Sequence, residues 1–103
     1  MIRYNKGEYE PALELYNQSL EIARKLGDQL TVVLILNNIA SLHVSKGEYE
    51  QALFHALQAH KILERFAIPS ELQKSHDILG SIEGKLGSEA YQRLVKKVEG
   101  KLS

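Results

Sequence analysis

The sequence predicts an all-α fold, about five helices arranged as an array of helical hairpins. Three observations carry this. The string Lys6-Gly7-Glu8-Tyr9-Glu10 returns unchanged as Lys46-Gly47-Glu48-Tyr49-Glu50, an offset of 40 residues, and the match runs on to Ala12-Leu13 and Ala52-Leu53. A further step of the same length lands on Gly87. Between these glycines apolar residues recur at steps of three and four, the helical period, and no useful length alternates with period two.

Each element follows from that pattern. After Gly7, the residues Ala12, Leu13, Tyr16, Leu20, Ala23 and Leu26 mark a first helix. Gly27 stops it and Asp28 can cap the next. A second helix runs from Leu30 to Lys46, very apolar at Val32, Val33, Leu36, Ile39, Ala40 and Leu42. Gly47 ends it, and a third extends from Tyr49 to about Phe66 through Ala52, Leu53, Ala56, Leu57, Ala59 and Leu63. A turn is expected over Ala67–Pro69, because proline blocks helix continuation. Ser70-Glu71-Leu72-Gln73 reads as a capping box for a fourth helix through Leu72, Ile78, Leu79, Ile82 and Leu86. Gly87 and Ser88 break and recap, and a fifth helix carries Tyr91, Leu94, Val95, Val98 and Leu102. Both prolines, Pro11 and Pro69, can sit at helix starts.

Composition narrows the function classes. The 103 residues suffice for one small domain, with 44% apolar and 25% charged residues. Thirteen basic residues balance thirteen acidic ones, so no global field draws nucleic acid or an anionic membrane. The absence of cysteine excludes disulfides, thiolate zinc sites and cysteine nucleophiles, and fits a cytoplasmic location. No apolar run approaches the roughly 20 residues that span a bilayer, and the N-terminus lacks the apolar core of a secretion signal.

Helix, glycine turn and helix at a fixed period resemble the tetratricopeptide repeat, whose fold is an α–α superhelix. The family signature runs through leucine, leucine-glycine, an aromatic, then an alanine and a further aromatic after the turn. Leu36, Ile39-Ala40, His43, Ala52 and Ala56 hold those slots in the complete middle repeat. Ala12 and Tyr16 match in the preceding copy, and Leu79-Gly80 in the following one. The 40-residue spacing and Leu36-Asn37-Asn38-Ile39-Ala40 look like the extended subclass of kinesin light chains and related adaptors. The resemblance implies a single domain over 1–103, with a partial repeat at 1–27, a complete one at 28–67 and a divergent cap at 68–103. It departs from the pattern at His43 and Ala56, which replace aromatics. It departs again in the last repeat, where the small slot falls on Gln92 and the pattern fits better with Ala90 after a shortened turn. Ala40, Ala52 and Gly80 read as the small residues that let paired helices approach.

Candidate chemistry is sparse. None of His43, His55, His60 and His76 forms the His-x-x-x-His pair that sets two imidazoles on one helical face. His43 and His76 occupy slots that the resemblance fills with core aromatics, so packing is expected and a metal site is not. Glu8, Glu10, Glu48 and Glu50 fall in first turns, where negative charge complements the helix dipole. No nucleophile elbow or phosphate loop is present. Arg93, Lys96, Lys97 and Lys101 on the last helix read as a solvated cap rather than a nucleic-acid surface. No catalytic residue, cofactor, metal, nucleic-acid partner or membrane partner is expected.

The informative pattern is polar. Asn37, Ser41 and Ser45 are spaced by four on an otherwise apolar helix, with Asn38 beside them. One repeat later come Asp77, Ser81 and Lys85, flanked by Lys74. The resemblance places these first helices of each hairpin on a concave surface. A mostly buried helix gains no stability from a polar stripe unless that stripe meets solvent or a ligand. The expectation is a groove of Asn37, Asn38, Ser41, Ser45, Lys74, Asp77, Ser81 and Lys85 that holds a peptide or protein segment, its asparagines serving peptide amides. Lys74 and Asn38 match two positions of the family's dicarboxylate clamp, but Ile78 stands where a basic residue belongs, so no C-terminal carboxylate ligand is expected. The alternatives are the sensor or dimerisation part of a bacterial transcription regulator, or a structural self-assembly element. Finally, the first hairpin lacks most of its leading helix, so Leu13, Tyr16 and Leu20 are expected to stand exposed and to drive a homodimer through the N-terminal face.

Overall fold

A computed structural model describes residues 6–66 and 68–102, with the side chains of residues 6–8 excluded. Five helices follow in chain order: α1 (Lys6–Leu26), α2 (Gln29–Ser45), α3 (Tyr49–Arg65), α4 (Pro69–Leu86) and α5 (Ser88–Leu102). No strand occurs among the described residues. Met1 to Asn5, and Ala67 within the expected third turn, lie outside the described residues.

Glycine makes three of the connections. Gly27, Gly47 and Gly87 have φ of +70°, +76° and +84°, a region that costs any other residue a steric clash. Asp28 then caps α2, accepting from the Thr31 backbone N–H at 3.1 Å and its hydroxyl at 2.6 Å. Gly7 instead lies in the first turn of α1. Pro11 sits inside α1 rather than at its start. Pro69 does open α4 as its first residue, so Ile68 takes the cap position and no side-chain cap forms. The capping box read at Ser70 is thereby displaced: the helix has already begun when the chain reaches it.

The core forms where helices come close. Ala40, Ala52, Ala56 and Ala59 are fully buried, which lets α2 and α3 pack along their length. One cluster joins Leu20 and Ala23 of α1, Val32 to Ile39 of α2, and Ala59 and Leu63 of α3. A second joins Ala40 of α2, Ala52, Leu53 and Ala56 of α3, Ile78 and Ile82 of α4, and Val98 of α5. Gly80 is not used in this way. A Cβ there would meet nothing within 4 Å, because Gly80 stands exposed on α4 and no close approach forms at it. α5 begins directly after Gly87, one residue sooner than α3 begins after Gly47, and Ala90 is half-buried.

Ion pairs join successive hairpins. Lys46 reaches Glu10 at 2.8 Å and Glu48 at 3.3 Å. Lys97 and Lys101 reach Glu50 at 2.8 and 3.1 Å, so half of the basic cluster on α5 fastens that helix to α3. Lys97 and Lys101 together hold the Glu50 carboxyl below the usual range. The histidines pack as rings. His43 is buried, donates to Glu48 at 2.9 Å and stacks on His55 at 5.5 Å. His60 meets His76 edge to face at 5.6 Å, but His76 stays exposed rather than entering the core, since it packs at one edge only.

The N-terminal helix corrects an expectation. Leu20 is buried against α2, and Leu13 and Tyr16 pack partly against the same cluster. Among the described residues, the exposed large apolar ones are Leu15, Ile22, Leu26, Leu30 and Phe66. The residues nearest α2 in helical phase were already satisfied by α2 itself, so the open side of α1 is a different one.

Two outcomes follow. Gly80→Ala should raise stability by about 0.5–1 kcal/mol in urea unfolding, since alanine is the better helix former and space is open; Gly47→Ala, forced into positive φ, should lower it. Stability should also fall in acid in two stages. Burial depresses the folded-state pKa of His55 below its ordinary 6.5, so its neutral form favours folding and that contribution is lost as pH drops from about 6.5 toward the folded value. Glu48, lowered chiefly by its bond from His43, and Glu50 are lost only below their ordinary 4.5. His55→Gln should flatten the first stage alone, as read from unfolding midpoints at a series of pH values.

Candidate functional site

α2 and α4 lie side by side and present a shallow depression of about 280 Å³. Ser41, Val44 and Ser45 line it from α2, and Lys74, Asp77, Ile78 and Ser81 from α4. Val44 and Ile78 supply an apolar floor, and hydroxyls with charges of both signs surround it. Five of the eight residues expected in a groove are therefore brought together: Ser41, Ser45, Lys74, Asp77 and Ser81.

The other three differ. Asn37 is fully buried, against the expectation that it stands in the groove. The reason is helical phase. Residues four apart on a 3.6-residue helix drift by about 40° per step, so Asn37 lies about 80° from Ser45. Exposure follows that drift, from Asn37 inside, through half-buried Ser41, to exposed Ser45. The buried amide donates to the Glu71 carboxylate at 3.1 Å, tying α2 to the first turn of α4. Asn38 is half-buried and accepts from Lys74 Nζ at 2.8 Å, placing it behind the rim. Lys85 is exposed in the last turn of α4, beyond the depression, by the same drift counted from Asp77.

Local bonds organise the remaining groups. The Ser45 hydroxyl donates to the Ser41 carbonyl at 3.2 Å. Gln73 donates to Asp77 at 2.9 Å, which directs that carboxylate along its own helix. Lys74, held at its tip by neutral Asn38, has its charge uncompensated by that partner. Nothing in this set resembles a nucleophile with its base. Among the described residues no group of three or more His, Asp and Glu could hold a metal ion. No helix of the described residues is long and apolar enough to cross a membrane.

Sequence reasoning missed Glu71, which fell at an intervening position of the capping box read at Ser70–Gln73. An acidic residue in the first turn of α4 carries no visible sign that it turns inward; only the packing of α4 against α2 buries it, at 9% exposure.

Hairpins stacked about small residues define a helical-repeat module of the class that serves protein–protein interaction. The comparisons agree. The family described as tetratricopeptide repeat matches residues 1–65, and the chain belongs to that family. It is 43% identical over 53 residues to the photosystem I assembly protein Ycf3 of Synechococcus elongatus, and equally to that of another Synechococcus strain. Each match covers 52% of this chain and 29% of the relative, so the chain spans less than a third of the length of these relatives. No solved structure matches significantly.

Because the Glu71 carboxylate is buried against a single side-chain donor, Asn37→Ala should cost about 1–3 kcal/mol of stability. Ser45→Ala, at an exposed hydroxyl, should change it by less than about 0.5 kcal/mol. Urea unfolding of both variants checks the pair.

Proposed function

We propose that the depression between α2 and α4 holds a segment of another protein, and that the chain acts as a non-catalytic interaction or assembly module. The observation that carries this is the apolar floor of Val44 and Ile78 within a polar surround on two first helices. An apolar side chain of the partner fills the floor. Ser41, Ser45 and Ser81 offer hydroxyls that donate or accept, which suits a peptide backbone of any sequence. Lys74 and Asp77 then set the charge pattern beside the anchor. Asn38 acts behind them by positioning the Lys74 ammonium rather than by meeting the partner first.

Assembly is the role carried in the name of the Ycf3 relatives, and an assembly factor needs such a surface. The 40-residue spacing, kept between the left-handed glycines Gly47 and Gly87, supports placing the chain in the extended-period subclass. A preformed groove loses little entropy itself, so the cost of ordering falls on the partner segment.

Selection from a displayed random-peptide library tests the reading. Peptides that bind the wild type should weaken at least tenfold with Ile78→Glu, about 1.4 kcal/mol, and with Ser41→Trp, which fills the depression. Phe66→Ala, on another face, should leave them unchanged. Binding that survives both groove substitutions, or no selected binder, overturns it.

A further inference from the structure

α1 carries two apolar stripes and spends only one. Leu13, Tyr16, Leu20 and Ala23 turn toward α2 and the core. Leu15, Ile22 and Leu26 lie within about 40° of one another on a different side, at 100° per residue, and run about 16 Å along the helix. They are 64%, 59% and 76% exposed. The surface of α4 and α5 is different. α4 and α5 expose no large apolar residue at all among those described, and their surface is Arg93, Lys96, Glu89 and Gln92. Head-to-tail stacking of copies would join this apolar stripe to a charged face, which desolvates charge for nothing. A stripe with no apolar counterpart on α4 or α5 is satisfied by the same stripe of a second copy, and such a contact closes after two.

Charge sets the direction. Glu14 and Lys25 sit on the same flank of the stripe, Glu14 near one end and Lys25 near the other. In a parallel pair the twofold axis puts this flank of each copy on opposite sides of the contact, so neither charge meets its counterpart. In an antiparallel pair each Glu14 approaches the partner's Lys25. Lys25 is held in place only by Glu21 at 3.4 Å, both about three-quarters exposed, a weak pair that rearranges easily. We propose that this chain forms a closed homodimer in which α1 packs antiparallel to α1 of a second copy, Leu15 against Ile22, about a twofold axis beside Gln18.

Sedimentation across a concentration series should show a monomer–dimer equilibrium that stops at two. Ile22→Glu should abolish it with helix content unchanged by circular dichroism, and Leu15→Lys should do the same. Lys25→Glu should weaken the dimer several-fold, and adding Glu14→Lys should restore it. Because the chain has no cysteine, Gln18→Cys offers one thiol per copy, and a short bifunctional thiol reagent should link the two. A wild type that stays monomeric at its highest soluble concentration overturns the proposal, whether Ile22→Cys is then open to a thiol reagent or shielded by another part of the chain. Assemblies that keep growing, or a dimer indifferent to Ile22→Glu, overturn it equally.

Discussion

The close packing of α2 against α3 through side chains of almost no size is the constraint on which the molecule rests. Ala40 on one helix and Ala52, Ala56 and Ala59 on the other are fully buried. A larger residue at any of these positions would push the axes apart and open both core clusters together. The flanking helices build outward from this pair. α1 packs on α2, α4 packs on both, and α5 packs on α3 and α4 and closes the second cluster through Val98. The groove inherits its shape from the same arrangement, because α2 and α4 can lie side by side only once α3 has fixed the angle between the hairpins.

Most of this framework was legible from residue order alone. The 40-residue recurrence located Gly47 and Gly87, and both proved to hold the left-handed conformation that ends a helix. Apolar periodicity located five helices to within a few residues. What the pattern could not supply was the phase of each side chain relative to its neighbours. Asn37, Ser41 and Ser45 look equivalent as a spacing-of-four series. On a helix they spiral, and the neighbouring α4 covers one end of the spiral only. Leu20 was misplaced for the same reason: it counts as apolar and terminal, but which side of α1 meets α2 depends on an interhelical angle that no single helix encodes. Gly80 shows the limit from the other direction, a small residue in the right slot that stands exposed, with no neighbour close enough to require it.

The recurrent carboxylates gain meaning only in three dimensions. Glu10 and Glu50 occupy the same place in successive repeats, and each receives a lysine from a later element: Lys46 for the first, Lys97 and Lys101 for the second. These pairs are partly exposed and individually weak. Their use is to fix register, since a helix slid by one turn would leave them unpaired. The basic face of α5, which invites a nucleic-acid reading from sequence, is partly consumed in this way.

The two apolar clusters share the α2–α3 hairpin, while α1 belongs to the first alone and α5 to the second alone. The molecule is thus a linear chain of interactions with its strongest link in the middle. Order spreads outward from that hairpin, and the two end helices are held by one neighbour cluster each. Opening therefore proceeds from either end independently, and amide protons near Leu36 and Leu53 exchange last, while those of α1 and α5 exchange through separate local events rather than through global unfolding.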